Sequence, residues 1–331
     1  MVTIKEIANK SGFSQATVSR LLNGDESLSI AEDTRKAIIR SALSLGYDRS
    51  NIKTPIDRIG LLFWMSESEE LQDLYFKQLR GSLEKYAKLS NMDLIAIKKT
   101  TKLADLPSDI NGFIGVGGFR SDEMHALKKK YKRGVILEIN PEPELFDTVR
   151  PNTDRSVAVA IQSFLNKGYQ SIGFIGGSHY HPDLQIEEED SREHVFRQEL
   201  ISRDLYQEHY MFTGGPFSVD NGYTLAKRLI DSCREDLPEA ILVASDTLSV
   251  GVLQAFNEAA INIPNDIELL SINDNDIAKF VSPPLSTFRI DVNEMAKSAI
   301  DLLLEQLVHP RTITKTVLIG TELVIRKSFQ P

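Results

Sequence analysis

The chain has 331 residues, of which 41% are hydrophobic and 26% are charged, and its formal net charge is −9 at pH 7. This length exceeds one hydrophobic core, so we expect two or three domains, and the composition excludes a disordered or low-complexity chain. The single cysteine, Cys233, excludes an intrachain disulfide and a cysteine-based metal cluster. No apolar run approaches the roughly twenty residues of a membrane span, and the N-terminus lacks a signal-peptide pattern. We therefore expect a cytoplasmic protein without a membrane partner.

The first 48 residues predict three short helices and form the first expected domain. Thr3 is a candidate N-cap of the first helix, and Gly12 supplies the turn to a second helix that begins near Ser14. A third helix begins at residue 29 or 32 and stops at Gly46. Two helices joined by a tight glycine turn and followed by a third predict a helix-turn-helix unit.

The second predicted helix is apolar on one side only. Its other side carries Ala16, Ser19, Arg20 and Asn23, which are short or polar. A DNA major groove admits a helix only if the contacting side is slim and bears hydrogen-bonding groups. We expect base contacts from Gln15, Ala16 and Arg20, and phosphate contacts from Thr3, Ser14, Thr17, Ser19 and Asn23. The alternative is an ordinary three-helix packing unit with a polar exterior.

Charge is unevenly spread along the chain. Residues 1–58 hold nine Lys or Arg and seven Asp or Glu, a net of +2, which leaves −11 for the remainder. Since the whole chain is acidic, it is not a generally basic nucleic-acid coat, and any DNA affinity must come from a local face. Such binding weakens as salt rises, because each neutralised phosphate releases counterions.

From Ile59 onward, short apolar runs alternate with amphipathic stretches. The first series begins with the strand IGLLFWM (59–65) and a helix over residues 71–89, and a second series begins at Ser156. Alternating strands and helices predict parallel sheets with right-handed crossovers. We therefore expect two α/β lobes within residues 59–331, with the chain crossing between them near residues 154, 283 and 313.

Aromatic, glycine and short polar residues end the predicted strands. In open α/β sheets, ligands bind outside the carboxyl ends of the strands. A sugar suits such a set, because its apolar ring faces contact an aromatic ring and its hydroxyls bond to carboxylates and amides. The sequence thus predicts a site for a sugar-like polyol. The strand-end residues are Trp64, Met65, Gly117, Gly118, Asn140, Gly176, Gly177, Asp246, Asn273 and Asp274.

The N-terminal region contains the segments TIKEIANKSGFSQATVSRLLNG (3–24) and TRKAIIRSALSLGY (34–47). The run ATVSR, the following Asn23 and the LGY ending together resemble the DNA-binding head of the lactose/galactose repressor family (LacI/GalR). The loop between Asn23 and Thr34 is about two residues longer than in the best-known member. The resemblance implies an N-terminal helix-turn-helix head that binds double-stranded DNA.

The resemblance continues through PNTDRS (151–156), DSREHVFRQEL (190–200), ILVASDTLSVG (241–251) and LLSINDNDIAKFVSPPLSTFRID (269–291). It implies a two-lobed effector domain like that of periplasmic sugar-binding proteins. Matched by motif, the residues expected to bind the effector are Asp154, Arg192, Asp246 and Asn273. In the first lobe, Trp64 and either Tyr75 or Phe76 are further candidates.

Each candidate also has a purely structural interpretation. Asp154 and Asp246 each precede or begin a predicted helix and could serve as N-caps. Arg192 could be a solvated helix residue paired with Glu188 or Glu189, which would contribute little. Trp64 could pack in the core of its lobe.

The linker at residues 49–58 departs from the family pattern. Family members have a longer linker that forms a hinge helix on DNA and inserts a leucine into the minor groove. Here Pro55 disfavours a helix, and no leucine occurs between Tyr47 and Leu61. We expect less DNA bending, with Ile52 or Ile56 as the only substitutes for the leucine wedge.

Other functions fit the sequence less well. GVGGF (115–119) lacks the lysine of a phosphate-binding loop, and no nucleophile motif is present, so we expect neither an enzyme nor a cofactor. His179, His181 and Asp183 could form a metal site, although a cleft-edge loop fits better, and we assign no metal. The remaining alternatives are a sugar-binding protein without a DNA role, and a regulator that responds to a purine or to a phosphocarrier protein.

Together, these expectations describe a repressor of sugar-utilisation genes that is released from its operator by a sugar. The segments SINDNDIAKFVSPPLSTF (271–288) and DSRE (190–193) resemble galactose-operon regulators, so galactose or a galactoside is the preferred effector. A single head buries too little DNA for tight binding, so we expect a homodimer, or a tetramer, on a pseudo-palindromic operator.

Overall fold

The computed structural model describes residues 2–25, 27–64, 74–181 and 186–330. Three helices form the head: α1 (Ile4–Ser11), α2 (Gln15–Leu22) and α3 (Glu32–Ser44). Thr3 caps α1 in a capping box with Glu6, and Gly12 adopts a φ of 78° at the turn before α2. The predicted helix-turn-helix head is confirmed, because these local signals act over only a few residues.

The linker packs against the head instead of standing free. Ile52 is fully buried in the head core, the Lys53 N–H donates to the Leu22 carbonyl at 2.7 Å, and the Thr54 hydroxyl donates to the Leu21 carbonyl. The sequence analysis ended the head at residue 48, whereas its core extends to Ile52. The difference follows from Ile52, whose apolar side chain leaves water by packing into the head core.

The same linker is bonded to the first lobe. Arg49 forms an ion pair with Asp57 and donates to the Ser90 carbonyl at 3.2 Å. Asn91 donates its side-chain amide to the Arg49 carbonyl at 2.9 Å and accepts the Ile56 N–H at 2.6 Å through its own carbonyl. Residues 49–56 therefore tie the head to the lobe by specific contacts on both sides.

The elements of the first lobe are β1 (Asp57–Trp64), α4 (Leu74–Leu89), β2 (Met92–Ala96), β3 (Gly112–Gly117), α5 (Ser121–Lys130), β4 (Gly134–Leu137), β5 (Asp147–Pro151), α10 (Val292–Val308) and β13 (Thr316–Ile319). Its six strands form a parallel sheet in the order β13-β5-β4-β3-β1-β2. Helix α10 packs against α4. Met65 and residues 71–73, where the predicted strand ends and the predicted helix begins, lie outside the described residues.

The elements of the second lobe are α6 (Thr153–Asn166), β6 (Ile172–Gly176), β7 (His179–His181), β8 (Ile186–Glu188), α7 (Ser191–Ile201), β9 (Met211–Thr213), α8 (Val219–Cys233), β10 (Ala240–Val243), α9 (Asp246–Glu258), β11 (Glu268–Asn273), β12 (Ser286–Arg289) and β14 (Glu322–Val324). Six strands form a sheet in the order β14-β12-β11-β10-β6-β9, which is parallel except for β14. β7 and β8 pair antiparallel in a separate two-stranded sheet. The predicted two-lobed α/β architecture is confirmed.

The chain passes between the lobes three times. The crossings lie at residue 152, at residues 290–291 and at residues 320–321, between elements of different sheets. The last two differ from the expected positions near 283 and 313. Pro283 and Pro284 look like a linker in the sequence, yet β12 follows them and pairs with β11, so the chain stays in the second lobe until Arg289.

Two glycines let α8 and α9 pack closely, which sets the position of the α9 N-terminus. A methyl group at Gly222 would lie 2.1 Å from the Leu248 carbonyl oxygen, and one at Gly251 would lie 2.0 Å from the Val219 carbonyl oxygen. Both distances are far below van der Waals contact, so only glycine fits.

In the part of the chain that the structure describes, no helix has the length and apolar character to cross a membrane.

Candidate DNA-binding and effector sites

Helix α2 buries Val18, Leu21 and Leu22 and turns its other side to solvent. Gln15, Ala16, Arg20 and Asn23 are exposed, as are Thr3 and Ser14, and Thr17 and Ser19 are half-buried. The residues expected to contact DNA are therefore exposed or half-buried at the surface of the head.

Several of these polar side chains also bond within the head. Ser14 accepts the Thr17 N–H at 3.1 Å, and its hydroxyl lies 2.8 Å from that of Thr17. The Asn23 amide donates to the Ser19 carbonyl at 2.9 Å. Arg20 donates to Asp25 at 2.6 Å. These bonds hold the side chains in defined orientations before DNA arrives.

Polar residues of the second lobe gather at the carboxyl ends of its strands, around Arg192. This guanidinium makes two bonds to Asp190, at 2.6 and 2.8 Å, and one to the Ala244 carbonyl at 2.7 Å. Its side chain is only 13% exposed. The alternative of a solvated residue paired with Glu188 or Glu189 is therefore wrong, because Arg192 turns into the lobe toward Asp190.

Asp190 is a buried carboxylate with two side-chain partners, Arg192 and His179. Its carboxylate also meets His179 Nε2 at 2.5 Å and caps α7 by accepting the Arg192 N–H at 2.9 Å. Burial alone would raise the pKa of Asp190, yet Arg192 and His179 hold that pKa below its ordinary value. Asp190 is thus the side chain that orients Arg192.

Phe217 supplies an aromatic face beside Arg192. The guanidinium carbon lies 4.7 Å from the Phe217 ring centroid, and the His179 ring is stacked on that ring with centroids 5.1 Å apart. Phe217 is half-buried, so part of its surface remains open. Phe217 was not predicted from the sequence, because β9 is only three residues long and its pattern was not identified as a strand. The available signal was an aromatic residue just after Gly214, Gly215 and Pro216.

Glu138 brings a carboxyl group of the first lobe to the same region. It directly follows β4 with a φ of 68°, and it accepts a hydrogen bond from the Tyr75 hydroxyl. Burial raises the pKa of Glu138, whereas the Tyr75 hydroxyl and the charges of Arg192 and His179 lower it. Glu138 thus places an acidic group just after a first-lobe strand, and its pKa responds to charged groups of the second lobe. The sequence analysis missed Glu138 because it placed the end of the strand at Asn140.

Asp246 lies at the start of α9 and is fully buried. Its two carboxylate oxygens accept the Asn275 N–H at 2.7 Å and the Thr287 hydroxyl at 2.8 Å. Burial raises its pKa to about 7. Ser245 is the N-cap of α9, so the capping interpretation of Asp246 is wrong. Its oxygens are occupied by the protein itself, and Asp246 holds the loop after β11 in place.

Asn273 ends β11 in a strained conformation. Its φ is 123°, a region that residues other than glycine rarely adopt, and it is 8% exposed. Its side-chain amide has no hydrogen-bond partner among the described residues, whereas Asp274 next to it is held by Arg289 and Arg326 at 2.7 and 2.6 Å. Strain at an unpartnered amide is typical of a ligand-binding position.

Two family models match the chain that carries these sites. Residues 3–50 match the model of bacterial regulatory proteins of the lacI family, and residues 161–329 match the model of a periplasmic binding protein-like domain. The transcriptional regulator GanR of Bacillus subtilis (strain 168) is 42% identical over 329 residues, which cover 99% of this chain and all of GanR. LacR of Lactobacillus helveticus is 43% identical over 342 residues, with 100% and 99% coverage. The chain belongs to the lacI family.

Membership makes this protein a DNA-binding transcriptional repressor of sugar-metabolism genes. A crystal structure of the lac repressor dimer, bound to operator and the anti-inducer ONPF, shares the fold with a TM-score of 0.69 at 16% identity. The alignment covers 99% of this chain and 98% of that one. The relatives are transcriptional regulators and not enzymes. The family resemblance of the sequence is confirmed.

Two of the expected effector residues of this repressor have structural partners elsewhere. Trp64 is 3% exposed, donates its indole N–H to the Ile97 carbonyl at 3.2 Å and packs on Phe119 with ring centroids 4.8 Å apart. The structure thus favours the core-packing interpretation of Trp64. Tyr75 is 5% exposed, and its hydroxyl contacts Glu138 and Met295 of its own lobe.

Asp154 lies on the first turn of α6 and pairs with Arg150 at 3.0 Å. Asn152 is the N-cap of this helix, so the capping interpretation of Asp154 is wrong as well. One of its oxygens, Oδ1, is buried without a hydrogen-bond partner among the described residues. Asp154 therefore keeps an acceptor that a ligand hydroxyl could use.

The possible metal ligands do not assemble in the described part of the repressor. His179 is engaged by Asp190, the side chain of His181 and all of Asp183 lie outside the described residues, and no group of three His, Cys, Asp or Glu suited to a metal occurs in the rest.

Proposed function

We propose that this repressor leaves its operator when galactose or a galactoside binds between its two lobes. The observation that carries the proposal is the cluster at the carboxyl ends of the second-lobe strands, where the Arg192 guanidinium is bonded to Asp190 and lies 4.7 Å from the Phe217 ring centroid. Sugars bind to such sets, because an aromatic face packs on the pyranose ring while charged groups bond to its hydroxyls. The DSRE (190–193) and SINDNDIAKFVSPPLSTF (271–288) segments favour galactose over other sugars.

In this mechanism, Asn273 and Asp154 add hydrogen bonds to the sugar, and Asp190 and Asp246 hold the binding residues in position. Closure of the lobes over the sugar changes the separation of two heads in a homodimer. Since sugar and operator prefer different states, each weakens the binding of the other by the same factor. The repressor would act in the cytoplasm, where the bacterial chromosome lies.

On DNA, Gln15, Ala16 and Arg20 would read base edges in the major groove, and phosphate contacts would fix the head on the duplex. The phosphate contacts come from Thr3, Ser14, Thr17, Ser19 and Asn23. Two heads related by two-fold symmetry match a pseudo-palindromic operator, which supports a homodimer as the working unit.

An operator-release titration tests the proposed effector. Full-length protein is bound to a fluorescent operator duplex selected from a random pool, and galactose, lactose, raffinose, glucose and adenine are added separately. We expect saturable release by galactose or a galactoside alone. Release by adenine, or tighter binding with a sugar, would contradict the proposal. No response from a protein that still binds its operator would also overturn it and favour a phosphocarrier protein as corepressor.

The linker leads us to propose that this repressor bends its operator little. Ile52 is buried in the head core, and Lys53 and Thr54 are bonded to α2, so the first of the two candidate wedges is not exposed. We expect a bend below about 20°, the lower limit for wedge-inserting proteins. Energy transfer between dyes at the two duplex ends measures the bend, with an intrinsically bent duplex as the positive control. A sharp central kink would show that the linker rearranges and exposes Ile52 or Ile56.

A further inference from the structure

Two side chains of the loop between α2 and α3, a carboxylate and a hydroxyl, accept hydrogen bonds from the Arg20 guanidinium. Arg20 Nε donates to Asp25 Oδ2 at 2.6 Å, and Arg20 Nη2 donates to the Ser27 hydroxyl at 2.9 Å. The Ser27 hydroxyl in turn donates to Asp25 Oδ1 at 2.6 Å. The three side chains close a ring of hydrogen bonds in which every donor has one acceptor.

The loop backbone holds Asp25 in this place. The Asp25 N–H donates to the Arg20 carbonyl at 3.0 Å, and the Ser27 N–H donates to Asp25 Oδ1 at 3.0 Å. Gly24 makes the bend with a φ of 72°, and a methyl group there would lie 3.2 Å from Cβ of Lys53 in the linker. The bonds to Arg20 and Ser27 lower the pKa of Asp25 to about 2, so the carboxylate is ionised at any pH at which the protein works.

The ring occupies one edge of the guanidinium and leaves the other open. Asp25 and Ser27 take the edge formed by Nε and Nη2, whereas Nη1 has no bond to another described residue. The side chain of Arg20 is 47% exposed. A guanidinium is a rigid planar fork, so fixing one edge fixes the direction of the other. The open edge, Nη1 with the second proton of Nη2, is the one that binds guanine O6 and N7 together.

We propose that Asp25, assisted by Ser27, positions the Arg20 guanidinium for a two-bond contact with guanine and thereby determines the base preference at that operator position. The inference rests on the proposed role of Arg20 in base reading. An unsupported arginine samples many rotamers and can also bind phosphates, which carry no sequence information. Asp25 removes those alternatives, because its carboxylate attracts the guanidinium and repels phosphate.

Replacement of Asp25 should affect DNA binding in two opposite ways. The ratio of the affinities for guanine and adenine at one operator position separates them. Loss of a negative charge near DNA strengthens binding to every sequence. Loss of the support for Arg20 weakens only the preference for guanine. Affinity for the operator alone would mix the two effects, whereas the ratio of affinities for guanine and adenine at one position cancels the charge effect.

The experiment uses full-length wild type, Asp25→Asn, Asp25→Ala, Ser27→Ala and Arg20→Ala. The duplexes are the selected operator and a set in which each guanine pair of one half-site, and its symmetric partner, is replaced by an adenine pair. Arg20→Ala first identifies the guanine whose replacement no longer matters. At that position we expect Asp25→Asn and Asp25→Ala to lower discrimination about tenfold, within the range for one bidentate contact, with tighter binding to unrelated DNA. Ser27→Ala should lower it less.

Asp33→Asn is the matched control, since it removes the same charge from an exposed position on α3. It should change binding to all duplexes by one factor and leave discrimination intact. If both Asp25 variants also changed the affinity for all duplexes by one factor, the proposal would be overturned. Asp25 would then act on DNA binding only through its charge. If Arg20→Ala keeps every guanine preference, the proposed role of Arg20 fails instead, so the two failures are distinguishable. Thermal melting of each variant confirms that the head is folded.

Discussion

Replacing Arg20 by alanine is expected to lower operator affinity strongly and to leave effector binding intact. One bidentate contact with guanine contributes about 1–3 kcal/mol to discrimination, and a dimer carries two copies, so the loss is about 2–6 kcal/mol. This corresponds to a fall in affinity of roughly 30-fold to 10⁴-fold. Arg20 lies outside the head core, which consists of residues such as Ile7, Val18 and Ile38, so the fold should survive.

Fluorescence anisotropy at one fixed salt concentration, with operator and scrambled duplexes, measures this effect. Arg40→Ala is the matched control, because it removes a positive charge from an exposed position of α3 instead of the recognition helix. We expect Arg40→Ala to bind both duplexes slightly less well and to keep its preference. Equal loss of operator and sugar binding by Arg20→Ala would indicate misfolding and would remove the support for its assigned role.

Replacing Arg192 is expected to uncouple the repressor from its sugar while operator binding persists. A hydrogen bond to a charged group contributes about 1.5–3 kcal/mol, so sugar affinity should fall by roughly 10-fold to 150-fold. Arg192→Ala would also leave buried Asp190 without its main partner, at a cost to stability. Arg192→Lys is therefore the first variant, since it keeps the positive charge but loses the planar fork that bonds Asp190 and the Ala244 carbonyl.

Calorimetry with the inducing sugar and the operator-release titration give separate readouts for this variant. The double variant Arg192→Ala with Asp190→Asn removes both charges and should lose the sugar response with less effect on stability. Arg203→Ala is the control. Arg203 lies just after the C-terminus of α7 and pairs with Glu199, so this variant should respond to the sugar normally. A normal sugar response in Arg192→Lys and in the double variant would exclude Arg192 from the site.

Asp246 is a less informative target than its motif suggests. Its carboxylate bonds to Asn275 and Thr287 in a fully buried position, so its removal would disturb the loop that carries Asn273. Loss of sugar response in an Asp246 variant would therefore not distinguish a direct contact from a misplaced loop. Arg192 lies against the half-buried ring of Phe217, and its replacement by lysine leaves that loop untouched, so it gives the cleaner test.

The head was predictable from the sequence because its signals are local. Capping by Thr3 and Ser14, the glycine turn at Gly12 and the apolar spacing of α2 all act within about four residues. The alternation of strands and helices predicted two parallel sheets for a similar reason, since each element is specified by its own periodicity. The family resemblance singled out Arg192, and the structure places it at the carboxyl ends of the second-lobe strands beside Asp190 and Phe217.

Only the tertiary structure decided which strand-end side chains pack inside a lobe and which remain in the cleft proposed for the sugar. Trp64 ends β1, yet its side chain packs in the core on one face of the sheet and that of Phe63 packs on the other, because successive residues of a strand point to opposite faces. Phe217 and Glu138 reach the cleft through contacts with His179 and Tyr75, which lie far from them in the chain. The sequence determined the elements and their order, because those depend on near neighbours. The binding surface depends on distant residues that folding brings together, and no local pattern records those contacts.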